Sequence, residues 1–433
     1  MSEPNGSTMR RVLTARGLRA FGDGYVSLLL PVYLITLGLS PFHVGVIATA
    51  TLLGSAALSL LVGLHAHRFG YRTLLLAAAA LMAVTGFAFA AASDFWPLLV
   101  IAIVGTLNPS SGDVSVFLPL EQAVLANVAT DRGRTALFAR YSVTGALAAA
   151  LGALFAALPE LFVSSGLAGV KAALQGMFVL YGLIGLASGW IYRKLPVRLA
   201  APEHAPAAPL GKSRRIVFTL AALFSLDAFG GGFVVQSMLA LWLFERFELS
   251  TTVTGTIFFW TGVLSALSYL VAVRISKRIG LVNTMVFTHL PANLMLVAIP
   301  FVPHLTWVIV LLLARSALSQ MDVPTRGSYV MAVVTPPERP AAASITAVPR
   351  SLASAASPLL AGYLLGLSTF GWPLFIAGAV KIAYDLALLV MFRAVRPPEE
   401  ATANQADAST TSAQTIVGPV GRSNAVDSNS PAA

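Results

Sequence analysis

Runs of about twenty apolar residues recur along the chain, near 17–38, 43–64, 73–92, 96–127, 137–158 and 173–192. A second set falls near 216–244, 253–273, 281–302, 305–334, 341–366 and 373–394. Twenty apolar residues in a helix match a hydrocarbon core about 30 Å thick. The pattern predicts an all-α polytopic membrane protein with twelve transmembrane helices, six on either side of a break. The break, "RKLPVRLAAPEHAPAAPLGKSRR" over 193–215, is Pro/Ala-rich and basic and reads as a linker. Residues 397–433, rich in Ala, Ser, Asn and Thr, read as a disordered tail. The expected units are therefore 1–192, a linker over 193–215, 216–396, and the tail.

Composition sharpens this picture. The chain is 57% hydrophobic and only 11% charged, against about 25% charged in a soluble domain. Cysteine is absent, which removes disulfides, thiolate catalysis and Cys metal sites. The N-terminus shows no small-residue cleavage site, so the first block is expected to be retained as a helix. A net charge of +10 raises the question of nucleic acid, but the basic residues are distributed for membrane orientation. They gather at Arg10, Arg11 and Arg16, at Arg68 and Arg72, at Arg132 and Arg134, in the linker, at Lys277 and Arg278, at Arg339, and at Arg393 and Arg396. The alternate loops carry little beyond Lys171 and Arg246. Both termini and the linker are expected to be cytoplasmic.

The halves repeat each other at a separation near 210 residues. "LGLSPFHVGVI" is echoed by "FELSTTVTGTI", pairing Ser40 with Ser250 and Gly45 with Gly255. "RFGYRT" is echoed by "KRIGLVNT", pairing Gly70 with Gly280, and "GDVSV" by "MDVPT", pairing Asp113 with Asp322. Internal symmetry of this kind is the plan of many transporters.

On these features the chain resembles the major facilitator superfamily over roughly 10–396. "GLHAHRFGYR" resembles the family's helix 2–3 signature, keeping Gly63, Arg68, Gly70 and Arg72, with His67 where the family usually has Asp. "LLLPVYL" resembles its helix-one proline motif, and "SPLLAG", Ser357 to Gly362, a fragment of the antiporter Pro/Gly motif. The resemblance implies two pseudo-symmetric six-helix bundles, with helices one, four, seven and ten around a central cavity. It also implies a cytoplasmic gate, for which Arg72, Asp131, Lys277, Arg278 and Glu338 are further candidates.

Charge within a span costs at least about 2.5–3.5 kcal/mol on insertion scales, so it marks function or pairing. Candidates for substrate or proton binding are Asp23, Asp113, Glu121, Asp227, Arg315, Asp322 and Arg326. Asp113 and Asp227 lack a cation three or four residues away, as a proton carrier requires. Arg315, Asp322 and Arg326 fall on one face of helix ten by their spacing of seven and four, where the arginines would suit an anion. Bland pairings are expected for Arg19–Asp23, Glu121–Arg140 and Lys381–Asp385, and a polar interhelical contact for His289. Trp242, Trp260, Trp307 and Trp372 are expected at the membrane interface. "NPSSGDV", "DAFGGGF" and "SQMDVPTRG" are expected to interrupt helices four, seven and ten and line the cavity.

The leading expectation is a secondary transporter, an antiporter exporting a small organic or drug-like compound against a proton gradient. The alternative is an organic-anion transporter using the helix-ten arginines; a non-transporting sensor or scaffold is the remote one. Nothing resembles a catalytic or metal motif, so no enzyme and no cofactor is expected. The expected setting is a bacterial inner membrane, with the lipid bilayer and a small-molecule substrate as partners, no nucleic acid, and a monomer.

Overall fold

The computed structural model describes residues 3–65, 69–110, 115–128, 134–196, 210–211, 213–335 and 338–393. These residues form helices and connecting turns, and the helices fall on the hydrophobic blocks. In the N-terminal half they are α1 (Glu3–Thr36), α2 (Pro41–His65), α3 (Tyr71–Ala91), α4 (Phe95–Val104), α5 (Phe117–Val128), α6 (Arg134–Phe155), α7 (Leu158–Ser164) and α8 (Val170–Tyr192). In the C-terminal half they are α9 (Arg214–Gly232), α10 (Gln236–Phe247), α11 (Thr251–Ile279), α12 (Leu281–Ala298), α13 (Leu305–Ser319), α14 (Asp322–Val333), α15 (Arg339–Leu367) and α16 (Trp372–Phe392). Nine spans among the described residues are long and apolar enough to cross a membrane.

Three blocks hold two helices each, and each break lies where Pro or Gly predicts it. The fourth block stops at Gly105 and restarts at Phe117, after Pro109. The seventh breaks after Gly232, and the tenth at Gln320 and Met321, the latter three residues before Pro324. Gly weakens a helix interior and Pro removes a donor from it. The tenth block is thus interrupted as "SQMDVPTRG" predicts, and the break places Arg315 on α13 and Asp322 and Arg326 on α14.

The start of α1 lies beside the end of α8, where Arg11 donates to the Lys194 carbonyl; the end of α1 lies at the other, far end, around one cavity with the start of α8 and the turn at 248–250. Within the N-terminal half α1 packs on α6 and α8, and α3 on α8; within the C-terminal half α9 packs on α15 and α16. The halves meet where α2 lies along α15 and α6 along α11. The two repeated glycines sit in these seams. A Cβ on Gly45 would come within 2.5 Å of the Pro358 carbonyl oxygen, and one on Gly255 within 2.4 Å of that of Ala153. Repetition in the sequence therefore corresponds to two equivalent close approaches between helices.

"SPLLAG" lies in the α2–α15 seam. Ser357 Oγ donates to the Phe229 carbonyl on α9 at 2.5 Å, and Leu359 N–H donates to Thr49 Oγ1 on α2 at 2.9 Å. Gly362 faces Gly45 so closely that a Cβ there would meet the Pro41 carbonyl oxygen at 2.5 Å. Trp260, Trp307 and Trp372 are exposed on the outside of the bundle, as expected of interface residues. Trp242 is not: it is fully buried and donates from Nε1 to the Thr369 carbonyl at 3.2 Å. Its apolar neighbours on α10 draw it inward rather than to an edge.

Candidate functional site

The intramembrane charges collect into two buried clusters, one in each half. In the N-terminal half, Arg16, Arg19 and Asp23 share one face of α1 through their spacing of three and four residues. Arg19 turns to Glu121 on α5, with which it forms an ion pair. The Glu121 carboxylate is then saturated by two tyrosines, accepting from Tyr141 of α6 and Tyr192 of α8, each at 2.6 Å. The Arg19 guanidinium stacks 3.9 Å from the centre of the Phe117 ring. Two expected pairings therefore do not form as drawn. Arg19's ion pair is with Glu121 and not Asp23, and Arg140 is exposed while Glu121 is fully buried. A carboxylate from another helix, served by two hydroxyls, holds the arginine better than an i,i+4 neighbour on its own helix can.

Asp23, 5% exposed, is held differently. Tyr181 of α8 donates to its Oδ1 at 3.3 Å, and the Asn108 side chain also hydrogen-bonds to it, with Arg16 and Arg19 contributing their field. Asn108 belongs to the break between α4 and α5. Its Oδ1 accepts from Ser110 N–H at 3.1 Å and from Ser110 Oγ at 2.7 Å, the hydrogen-bond pattern of an Asx turn. Tyr181 shares its one hydroxyl proton between Asp23 and the Thr106 carbonyl, the latter at 3.0 Å. The break is thus tied to Asp23 at Asn108 and to α8 at Thr106.

In the C-terminal half, Asp227 on α9 is clasped by two cations. Lys381 Nζ on α16 donates to Oδ1 at 2.6 Å, and Arg326 Nη2 on α14 to Oδ2 at 2.8 Å. Arg326 also pairs with Asp322 one turn earlier on its own helix. His289 on α12 places Nε2 3.8 Å from Asp227 and Nδ1 2.8 Å from Asp385. Asn293 completes the group, donating to Asp385 Oδ2 at 2.8 Å. His289 therefore does make the polar interhelical contact expected. Lys381 and Asp385, four residues apart, each take a partner from a different helix instead of each other. Asp227 is likewise not the unaccompanied acid that its own helix suggests.

Arg315 lies apart from this group. Its Nε is buried with no hydrogen-bond partner among the described residues, and the same holds for Nε and Nη1 of Arg326. The sequence missed Arg350 on α15, which lies within the field of Arg326, Asp227 and Asp322 and has an exposed side chain.

At the gate, His67, Arg68, Asp113 and Asp131 lie outside the described residues, as do the side-chain surroundings of Gly63 and Lys277. Gly70 precedes α3 as its cap, and Arg278 is exposed. Glu338 accepts from Gly211 N–H at 2.5 Å, and the Ser213 hydroxyl, followed by that N–H, holds its carboxyl below the usual carboxylate range. It therefore anchors the start of α9 within its own half rather than bridging to Arg278.

Hydrogen bonds cross between the halves toward the far end. Glu160 Oε2 on α7 receives Thr251 Oγ1 at 3.1 Å, Thr252 N–H at 3.1 Å and Thr252 Oγ1 at 2.8 Å at the start of α11. Negative charge is favoured at such a helix N-terminus. Behind this latch a cavity of about 670 Å³ is lined by Pro31, Val32, Leu174, Leu241 and Phe244. Deeper in, the first turn of α10 touches the broken fourth block: Ser237 N–H donates to the Pro109 carbonyl at 3.0 Å. Two interrupted helices from opposite halves thus share a backbone hydrogen bond.

Comparison with known proteins agrees with this architecture. An uncharacterized membrane protein of Saccharomyces cerevisiae is 24% identical over 413 residues, covering 87% of this chain and 92% of its own. The nucleoside transporter NupG superposes with a TM-score of 0.71 at 12% identity, covering 89% of this chain and 100% of its own. The human organic anion transporter MFSD10 superposes with a TM-score of 0.63 at 17% identity, covering 89% and 100%. The sequence description of the Major Facilitator Superfamily matches residues 12–321 and 228–426. With its apolar helices, its paired interhalf seams and a family match along nearly its whole length, this chain belongs to the major facilitator superfamily, an integral membrane transporter and not an enzyme.

Proposed function

We propose that the protein is a proton-coupled secondary transporter that exports small amphipathic organic compounds by alternating access, with Asp23 as the group that carries the proton. Its chain crosses the bilayer twelve times with both termini in the cytoplasm, so the far end faces outward. The observation that carries the reading is the contrast among the buried acids. Glu121, Asp227 and Asp322 are each clasped directly by a cation, and protonating any of them would strand a buried positive charge. Asp23 receives its hydrogen bonds from the neutral Tyr181 and Asn108. It can gain and lose a proton with those donors still in place. Export is supported by the antiporter-like "SPLLAG" stretch and by its place in the seam that must open. The Glu160 latch and the Gly45–Gly362 approach support a conformation closed on the outside.

The test is growth of an efflux-deficient bacterium expressing the protein across a panel of toxic compounds, with accumulation measured with and without a protonophore. Wild type is expected to lower accumulation of at least one class at least threefold, and Asp23→Asn at matched expression to lose this. Asp23→Asn with undiminished, protonophore-sensitive export removes Asp23 from the proton path.

A second reading rests on the unpartnered guanidinium nitrogens of Arg315 and Arg326. Buried donors without acceptors suit an anionic substrate group, and MFSD10, of the same fold, is an organic anion transporter. Arg315→Gln is expected to abolish transport on this reading; full transport by that variant excludes it.

A further inference from the structure

We propose that Asn108 is a positioning residue that carries the charge state of Asp23 to the contact between the two halves. The proposal rests on Asp23 being the proton-carrying group, and deepens that reading by naming how the proton is felt across the protein. An amide side chain has two ends of opposite character. At Asn108 the NH2 end serves the Asp23 carboxylate, and the oxygen end gathers Ser110 N–H and Oγ at 3.1 and 2.7 Å. The residue between those two anchors is Pro109. Its carbonyl is the one that receives Ser237 N–H, at 3.0 Å, from the first turn of α10 in the other half. The carbonyl has no regular helix to orient it, because α4 ends at Val104 and α5 begins at Phe117. Its direction is set by the Asx turn, and the turn is set by Asn108.

The charge state of Asp23 enters at the NH2 end. A hydrogen bond to an ionised carboxylate is roughly twice as strong as one to its neutral form. Protonation therefore loosens Asn108, and with it the turn that aims the Pro109 carbonyl at Ser237. The groups facing Asp23 are compatible with this role. From α1 come Arg16, Arg19 and Tyr25, and from α8 Tyr181. From α5 and α6 come Glu121 and Tyr141, which face Arg19 and leave Asp23 to its neutral donors. Ser237 is fully buried, so water does not replace the Pro109 carbonyl while the halves remain closed. Interrupted helices from both halves meeting at one hydrogen bond make a two-state element, made in one facing state and broken in the other.

The experiment uses the full chain, which has no native cysteine. Spin labels at Leu167→Cys and His304→Cys, both exposed at the far end in opposite halves, report its opening in nanodiscs from pH 5 to 8. In wild type the open fraction is expected to change with pH by about fivefold to tenfold, the difference between a charge-assisted and a neutral hydrogen bond. Asp23→Asn is expected to abolish that change. Asn108→Ala is expected to abolish it too, and Ser110→Ala, which leaves Asp23 untouched and removes one of the two donors to Asn108, to reduce it. Should Asp23→Asn keep the wild-type response, the reading of Asp23 itself fails. Should Asp23→Asn lose it while Asn108→Ala and Ser110→Ala keep it, Asp23 stands and the relay is overturned. If Asn108→Ala does not fold, Ser110→Ala decides alone: an unreduced response overturns the relay.

Discussion

At the scale of single residues, the buried acids show why a partner matters more than a position. Asp227 finds Lys381 and Arg326 on helices 154 and 99 positions away in sequence. Spacing within one helix is blind to such partners, which is why Asp227 reads as unaccompanied and Lys381–Asp385 reads as a pair. His289 was legible because a buried imidazole in an apolar helix needs a polar neighbour, even before that neighbour is known. Removing one member of a buried pair typically costs about 3–5 kcal/mol, much of it from the stranded charge, while removing both can be nearly neutral. Lys381→Met is therefore expected to lower the thermal unfolding midpoint in detergent, and Lys381→Met with Asp227→Asn to recover at least half of the loss. Additive losses in the double variant would show that the two groups do not act on each other.

Among the elements, the legible features were those written in Pro and Gly. All three interruptions fall on the stretches where these residues weaken a helix. The repeated Gly45 and Gly255 mark the seams, because only a residue without Cβ lets the backbones approach so closely. What could not be read was rotation: Trp242 lies near a span end like the other three tryptophans but faces inward. The short α7, which carries Glu160 to α11, also escaped, since seven residues are too few to show a period. Gly45→Val is expected to force α2 away from the Pro358 and Gly362 backbone and to hold the far end open. Gly17→Ala, whose Cβ would meet Thr144 Cγ2 at an ordinary 3.7 Å, is the matched control. Thiol labelling of Leu241→Cys, 1% exposed behind the latch, is expected to speed up at least tenfold with Gly45→Val and not with Gly17→Ala. Equal rates would deny the seam a role in closure.

For the molecule as a whole, the layout of apolar blocks and basic loops was enough to reach the superfamily. It could not show which conformation the chain takes, since closure depends on contacts between halves. Glu160 supplies one of these, joining three donors at the start of α11. Charge-assisted bonds are roughly twice as strong as neutral ones, so Glu160→Gln should weaken the latch and Glu160→Ala remove it. The labelling rate at Leu241→Cys is expected to rise in that order, and an unchanged rate in Glu160→Ala would mean that the latch does not hold the far end. Proton-coupled alternating access requires the two ends to move reciprocally as Asp23 gains and loses its proton. The direct measurement is the pair of distances Leu167→Cys to His304→Cys and Arg193→Cys to Ile279→Cys, followed together from pH 5 to 8 in nanodiscs. The expected result is that one distance lengthens as the other shortens, with a single midpoint that Asp23→Asn removes. Two distances that stay fixed, or that open together, would contradict alternating access coupled to the proton.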